Sequence, residues 1–101
     1  DCSSLVQRLY QEVGISLPAI ASTQGEFMVT HGLEVTEGEL EPGDLIFYSY
    51  EQNGQFRNIS HVAIYVGNGR MVHAANSRRG VVNDPFNPSN IGLYGRPNRL
   101  Q

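Results

Sequence analysis

The sequence predicts an α+β domain in which an N-terminal helix packs on an antiparallel β-sheet. Two observations carry that reading. Apolar residues at helical spacing come first, at Leu5, Val6, Leu9, Tyr10 and Val13. Short runs rich in β-branched and aromatic residues follow only after Pro42-Gly43-Asp44. Helices first and strands afterwards is the order of an α+β domain, not of an alternating parallel one. With 101 residues, the chain makes a single domain, residues 1–101.

The first helix covers residues 3–13, with Cys2 in its first turn and Gly14 as its stop. Leu17-Pro18 breaks the chain. A second short helix is expected from about Ser22 to His31, with Ser22 or Thr23 as N-cap and Gly32 just past its end. His31 at that C-terminus reads as a favourable contact with the helix dipole. The turn at Pro42-Gly43-Asp44 feeds a strand at Leu45-Ile46-Phe47-Tyr48. Asn53-Gly54 lies in a polar loop. Further strands are expected at His61 to Val66, at about Arg70 to Ala75, more weakly at Gly80-Val81-Val82, and at the edge from Tyr94 to Leu100.

Composition narrows the function. Hydrophobic content of 40% and charge of 17% describe an ordinary globular chain. A net charge of −3 argues against nucleic acid as a partner. The basic pair Arg78-Arg79 reads as a solvated turn. No apolar run is long enough to span a membrane. The single cysteine excludes an intrachain disulfide and leaves the redox compartment open. The chain opens on Asp1, with no signal-peptide pattern in these residues; it is expected to be a domain of a longer protein, lacking an upstream segment with which an export signal could have been lost.

Cys2, His61 and His73 are the residues with chemistry to offer. A thiol at a helix start, near an imidazole, is disposed to become a thiolate at neutral pH. In that reading Cys2 attacks a carbonyl carbon. His61 forms a thiolate–imidazolium pair with it and later protonates the leaving amine. His73 orients His61 through the far ring nitrogen. Free N–H groups at the helix start, that of Cys2 included, stabilise an oxyanion. Residue types alone leave two other readings open: Cys2 as a small buried hydrophobe, or the three residues as zinc ligands, for which no CxxC or HExxH pattern exists.

The catalytic reading makes a geometric demand. A two-residue turn at Asn68-Gly69 sets the histidines on opposite faces. A three-residue loop, Gly67-Asn68-Gly69, puts Val66 opposite Arg70 and Ala63 opposite His73, and sets both histidines on one face with Cβ atoms roughly 7–8 Å apart. The Cys2 helix is then expected to pack on the histidine face, its N-terminus aimed at His61. Val62, Ile64, Val66 and Val72 fall to the opposite, core face.

These blocks together resemble the NlpC/P60 family of cysteine peptidases. The resemblance rests on Asp1-Cys2-Ser3 before an apolar helix, Gly14-Ile15-Ser16-Leu17-Pro18, Gln24, Leu40 to Phe47, Ser60 to Gly69, and Met71-Val72-His73-Ala74. It implies a papain-like fold and hydrolysis of the peptidoglycan stem peptide, typically at the D-γ-glutamyl–diamino acid bond. Cys2 becomes the nucleophile, His61 the base and His73 the third residue of the triad. Asp1, Ser3 and Ser60 become substrate-binding residues, Asp1 and Ser3 at the substrate's free amino end, although both also suit helix N-capping. The resemblance further implies an extracellular or cell-wall location; a monomer is expected, with neither metal nor cofactor. The chain departs from the family with Ser4 in place of a glycine, and with Ala19-Ile20-Ala21 where an Arg and small polar residues are usual. The second departure favours an alternative, a thiol amidase or acyltransferase on another amide or ester. A catalytically silent cell-wall-binding module is the non-enzymatic alternative.

Overall fold

The computed structural model describes residues 1–100. Two helices, α1 (Cys2–Glu12) and α2 (Ala21–Thr30), precede six strands: β1 (Glu34–Val35), β2 (Leu45–Tyr48), β3 (His61–Gly67), β4 (Arg70–Asn76), β5 (Gly80–Pro85) and β6 (Ile91–Gly95). All pairings are antiparallel, in the order β1-β6-β2-β3-β4-β5. Leu45, Ile46, Phe47 and Tyr48 are all buried, as befits an interior strand covered on both faces.

Alternation along β3 divides the apolar side chains into two clusters. Val62 and Ile64 point into the larger one, with Val6 and Tyr10 of α1, Met28 of α2, and Phe47 and Leu93. Ala63 points the other way, towards Ile46, Tyr48, Met71 and Tyr94. The helices therefore lie on the Val62/Ile64 face. This corrects the expectation that the Cys2 helix covers the histidine face. Branched side chains at Val62 and Ile64 supply the apolar area that a helix stripe needs, while the other face is taken by Tyr48, Met71 and the histidines.

Local chemistry sets the element ends. Asp1 caps α1, its Oδ1 accepting from the Ser4 amide at 2.8 Å. The N-cap of α2 is Ile20, without a side-chain bond, not Ser22 or Thr23. Thr23 instead turns its hydroxyl back to the Ile20 carbonyl at 3.0 Å, and Ser22 donates to Gln55 Oε1. His31 stacks on Phe27 and its Nδ1 lies 3.0 Å from the Phe27 carbonyl, closing the helix end. Asp44, 1% exposed, is held by Arg96 through Nε at 2.9 Å and a terminal nitrogen at 3.0 Å.

The β3–β4 hairpin resolves the register question in an unexpected way. Gly67 faces Arg70 across Asn68-Gly69, so the turn has two residues, not the three expected. A bulge between Tyr65 and Gly67 then restores the register, pairing Tyr65 with Met71 and Ile64 with Val72. Gly67 adopts φ 90°, in the left-handed region where glycine is at ease. The turn alone sends the histidines to opposite faces; the bulge returns them to one. The last strand also differs from expectation. It spans Ile91–Gly95 and lies inside the sheet between β1 and β2, while residues 97–100 form a 3₁₀ turn.

Candidate active site

Cys2 begins α1 and His61 begins β3, and both line one cavity of about 540 Å³ together with Ala74, Ala75, Ser77 and Gly80. A second cavity, of about 380 Å³, also reaches Cys2 and is lined by Asp1, Ser3, Ser22, Asn53, Gln55 and Ser60 among others. Cys2 thus stands at the junction of two hollows, with a polar, hydroxyl- and amide-bearing wall on one side and small residues beside His61 on the other. Helix geometry leaves the first-turn amides without an i−4 partner. The Ser4 and Leu5 amides go to Asp1. Those of Cys2 and Ser3 remain for an acceptor in the cavity.

The histidines form a direct relay. His61 Nε2 lies 2.8 Å from His73 Nδ1, the rings meeting edge to face at 76°. That separation is a hydrogen bond with no room for a metal ion between the two nitrogens. Among the described residues no group of three or more His, Cys, Asp or Glu is arranged to hold a metal. Tyr48 and Tyr50 stack on each other, with ring centroids 6.0 and 6.1 Å from that of His61. Burial of the imidazole, and then the charge of His73, push His61 down to about 4. His61 is accordingly neutral at neutral pH.

The structure brings Asp1, Ser3 and Ser60 to the same hollow. Asp1 doubles as N-cap, and Ser3, 5% exposed, donates to its Oδ1 at 3.1 Å. Ser60 is exposed on the rim. Gln24 of α2 is fully buried and donates to the carbonyls of Ser3 at 3.0 Å and Pro18 at 2.9 Å, bracing the turn that carries Cys2.

One residue of the relay escaped the sequence reading. His73 Nε2 lies 2.9 Å from Asp84 Oδ2. Arg79 grips the same carboxylate with two bonds, at 3.1 and 3.0 Å, so the Arg78-Arg79 pair is more than a solvated turn. The available signal was position: Asp84 lies two residues beyond Val82, the residue paired with His73.

A helix-borne cysteine over an antiparallel sheet, with two histidines in hydrogen-bond contact on neighbouring strands, defines a papain-like α+β domain. Residues 1–92 match the NlpC/P60 family, and the chain belongs to it. It is 33% identical over 98% of its length to a gamma-D-glutamyl-L-lysine dipeptidyl-peptidase of Bacillus cereus, of which it spans 28%. Among solved structures it is similar to the peptidoglycan hydrolase RipB of Mycobacterium tuberculosis, with a TM-score of 0.77 and 31% identity over 96% of this chain and 44% of that one. RipD of the same organism, described as a non-catalytic domain adapted to peptidoglycan binding, gives a TM-score of 0.76 and 26% identity over 95% of this chain and 65% of that one.

Proposed function

We propose that this domain is a cysteine endopeptidase acting on peptidoglycan stem peptides, with Cys2 as nucleophile, His61 as base and His73 as its orienting partner. The relatives' activities support the substrate class. The observation that carries the chemistry is the His61–His73 contact at 2.8 Å beside a cavity that Cys2 also lines.

His61 takes the thiol proton, and the Cys2 sulfur adds to the scissile carbonyl. The Cys2 and Ser3 amides receive the negative charge that develops on oxygen. His61 then returns its proton to the leaving amine, and water releases the acyl group from sulfur with His61 again as base. Among the described residues lining the hollow of Ser22, Asn53, Gln55 and Ser60, Asp1 is the only ionisable side chain besides the thiol. A single carboxylate there favours a positively charged amine over a carboxylate, in keeping with the free amino end of a stem peptide. The D-γ-glutamyl–diamino acid bond is the bond this reading assigns, in a cell-wall or extracellular setting and with the domain acting as a monomer.

Digestion of purified peptidoglycan fragments by the domain and by its Cys2→Ala variant, followed by mass spectrometry, tests this. Cleavage by the wild type alone is expected, with product masses at the γ-glutamyl bond. Fragments bound but left intact by both proteins would favour a silent binding module. Cleavage at another amide or ester would favour the amidase or acyltransferase alternative.

A further inference from the structure

His73 is only 8% exposed, and both its ring nitrogens are engaged, Nδ1 by His61 and Nε2 by Asp84. A chain of hydrogen bonds in which each ring carries one proton has two possible directions, and the group at its far end chooses between them. That group here is a carboxylate, which when ionised only accepts. We propose that Asp84, clamped by Arg79, is a positioning residue that fixes this direction, so that both histidines rest with their proton on Nε2 and His61 keeps a bare Nδ1 as the base.

Asp84 Oδ2 accepts the Nε2–H of His73, so neutral His73 has no proton on Nδ1. That bare Nδ1 accepts the Nε2–H of His61, so neutral His61 has no proton on its own Nδ1. Reverse the first bond and every other bond reverses with it. His61 then carries Nδ1–H and has lost the lone pair that a base needs.

Arg79 secures the end of the chain. Its two bonds to Asp84, reinforced by His73, hold that carboxyl down to about 2, so the acceptor stays an acceptor at neutral and mildly acidic pH. An exposed Arg–carboxylate pair by itself contributes little to stability. Its value here is that it aims one carboxylate oxygen at a buried ring. The other titratable groups around the relay are Tyr48 and Tyr50 beside His61, and Cys2 and Asp1 across the cavity. Near neutral pH the two phenols are uncharged, since burial raises both. The register makes the arrangement possible: Met71 pairs with Asp84 and His73 with Val82, so Asp84 is the diagonal neighbour of His73 on one face.

This inference rests on Cys2 and His61 being the reacting pair, and its test needs no turnover. Nitrogen-15 spectra of the histidine rings, taken on the Cys2→Ala protein at neutral pH, report the tautomers directly. The expected result is Nε2–H for both His61 and His73, with Nδ1–H appearing at both rings in Asp84→Ala. A dominant Nδ1–H form of His61 with Asp84 intact would overturn the proposal, and needs no variant at Asp84 that folds. So would an unchanged tautomer pattern in a folded Asp84→Ala protein. The second readout is alkylation of Cys2 by iodoacetamide across pH in the protein with its cysteine. Asp84→Ala is expected to slow it about tenfold near neutral pH and to move its profile upward by roughly one pH unit; an unmoved profile counts against the proposal. If the ring spectra come out as expected while peptidoglycan fragments stay uncut, the substrate assignment fails and the relay stands.

Discussion

Acid should weaken the fold through His61 before it weakens it through any carboxylate of the site. The unfolded chain protonates this imidazole near 6.5, whereas the folded one resists to about 4. Between those values the unfolded state binds the extra proton, so stability rises with pH across the window. The contribution is fully present above 6.5 and is lost as pH falls towards 4. At ~1.4 kcal/mol per pH unit the ceiling is about 3 kcal/mol. His61 keeps part of its ring in the open cavity, where water screens the charge, which reduces the expected loss to about 1–2 kcal/mol. Asp84 does not confuse the reading, because its carboxyl, ordinarily at 3.8 and held to about 2, releases its stabilisation only at lower pH. The assay is urea unfolding at about pH 7 and about pH 4.5 for the wild type and for His61→Gln, which keeps a polar group facing His73. The wild type is expected to lose the 1–2 kcal/mol and the variant much less. Equal losses in the two proteins would refute the assignment of this window to His61.

Two further outcomes concern the scaffold. A methyl group at Gly95 would run into the Cγ and Sδ of Met28, a side chain with no exposure and nowhere to go; Gly95→Ala should therefore destabilise by about 1–3 kcal/mol, and an unchanged melting temperature would contradict the packing described. Arg96→Ala leaves the buried Asp44 carboxylate with only the Glu41 amide as a partner and is expected to cost about 3 kcal/mol, with Arg96→Lys recovering only part because an ammonium lacks the two-pronged geometry; denaturant midpoints decide it, and a loss near zero would mean that Asp44 is not the buried charge it is taken to be.

The parts of this molecule written in short-range chemistry were readable from the chain. The stripe from Leu5 to Val13 gave α1, Pro42-Gly43-Asp44 gave the entry to β2, and alternation gave β3 and β4. The shared face of the two histidines was also readable, although by a different device from the one inferred. A loop length was invoked where a bulge at Val66 does the work, and both produce the same pairing at Tyr65. What was hidden depended on contacts between distant residues. Nothing local tells that Ile91–Gly95 inserts beside β2, or that two residues, Glu34–Val35, form a strand only because β6 is there to pair with them. The face chosen by α1 depended on comparing two apolar surfaces, and both looked suitable in one dimension. Asp84 was missed for the opposite reason. A charged residue at the end of a weak strand pattern looks like its termination, and only its partners, His73 and Arg79, reveal why it is there.

The relay lies crosswise, one residue from each of three neighbouring strands: His61 on β3, His73 on β4, Asp84 on β5. Because no two members share a strand, the loops joining them are free to vary in length as long as each hairpin keeps its pairing. The turn at Asn68-Gly69, at the far end of β3 from His61, is the natural place to insert a reporter or a binding peptide without disturbing the chemistry. The outermost strand is the opposite case. Anything that peels β5 away from β4 withdraws Asp84 from His73 while leaving Cys2 and His61 in place, so a ligand that adds a strand to the sheet by displacing this edge would break the relay from outside the cleft.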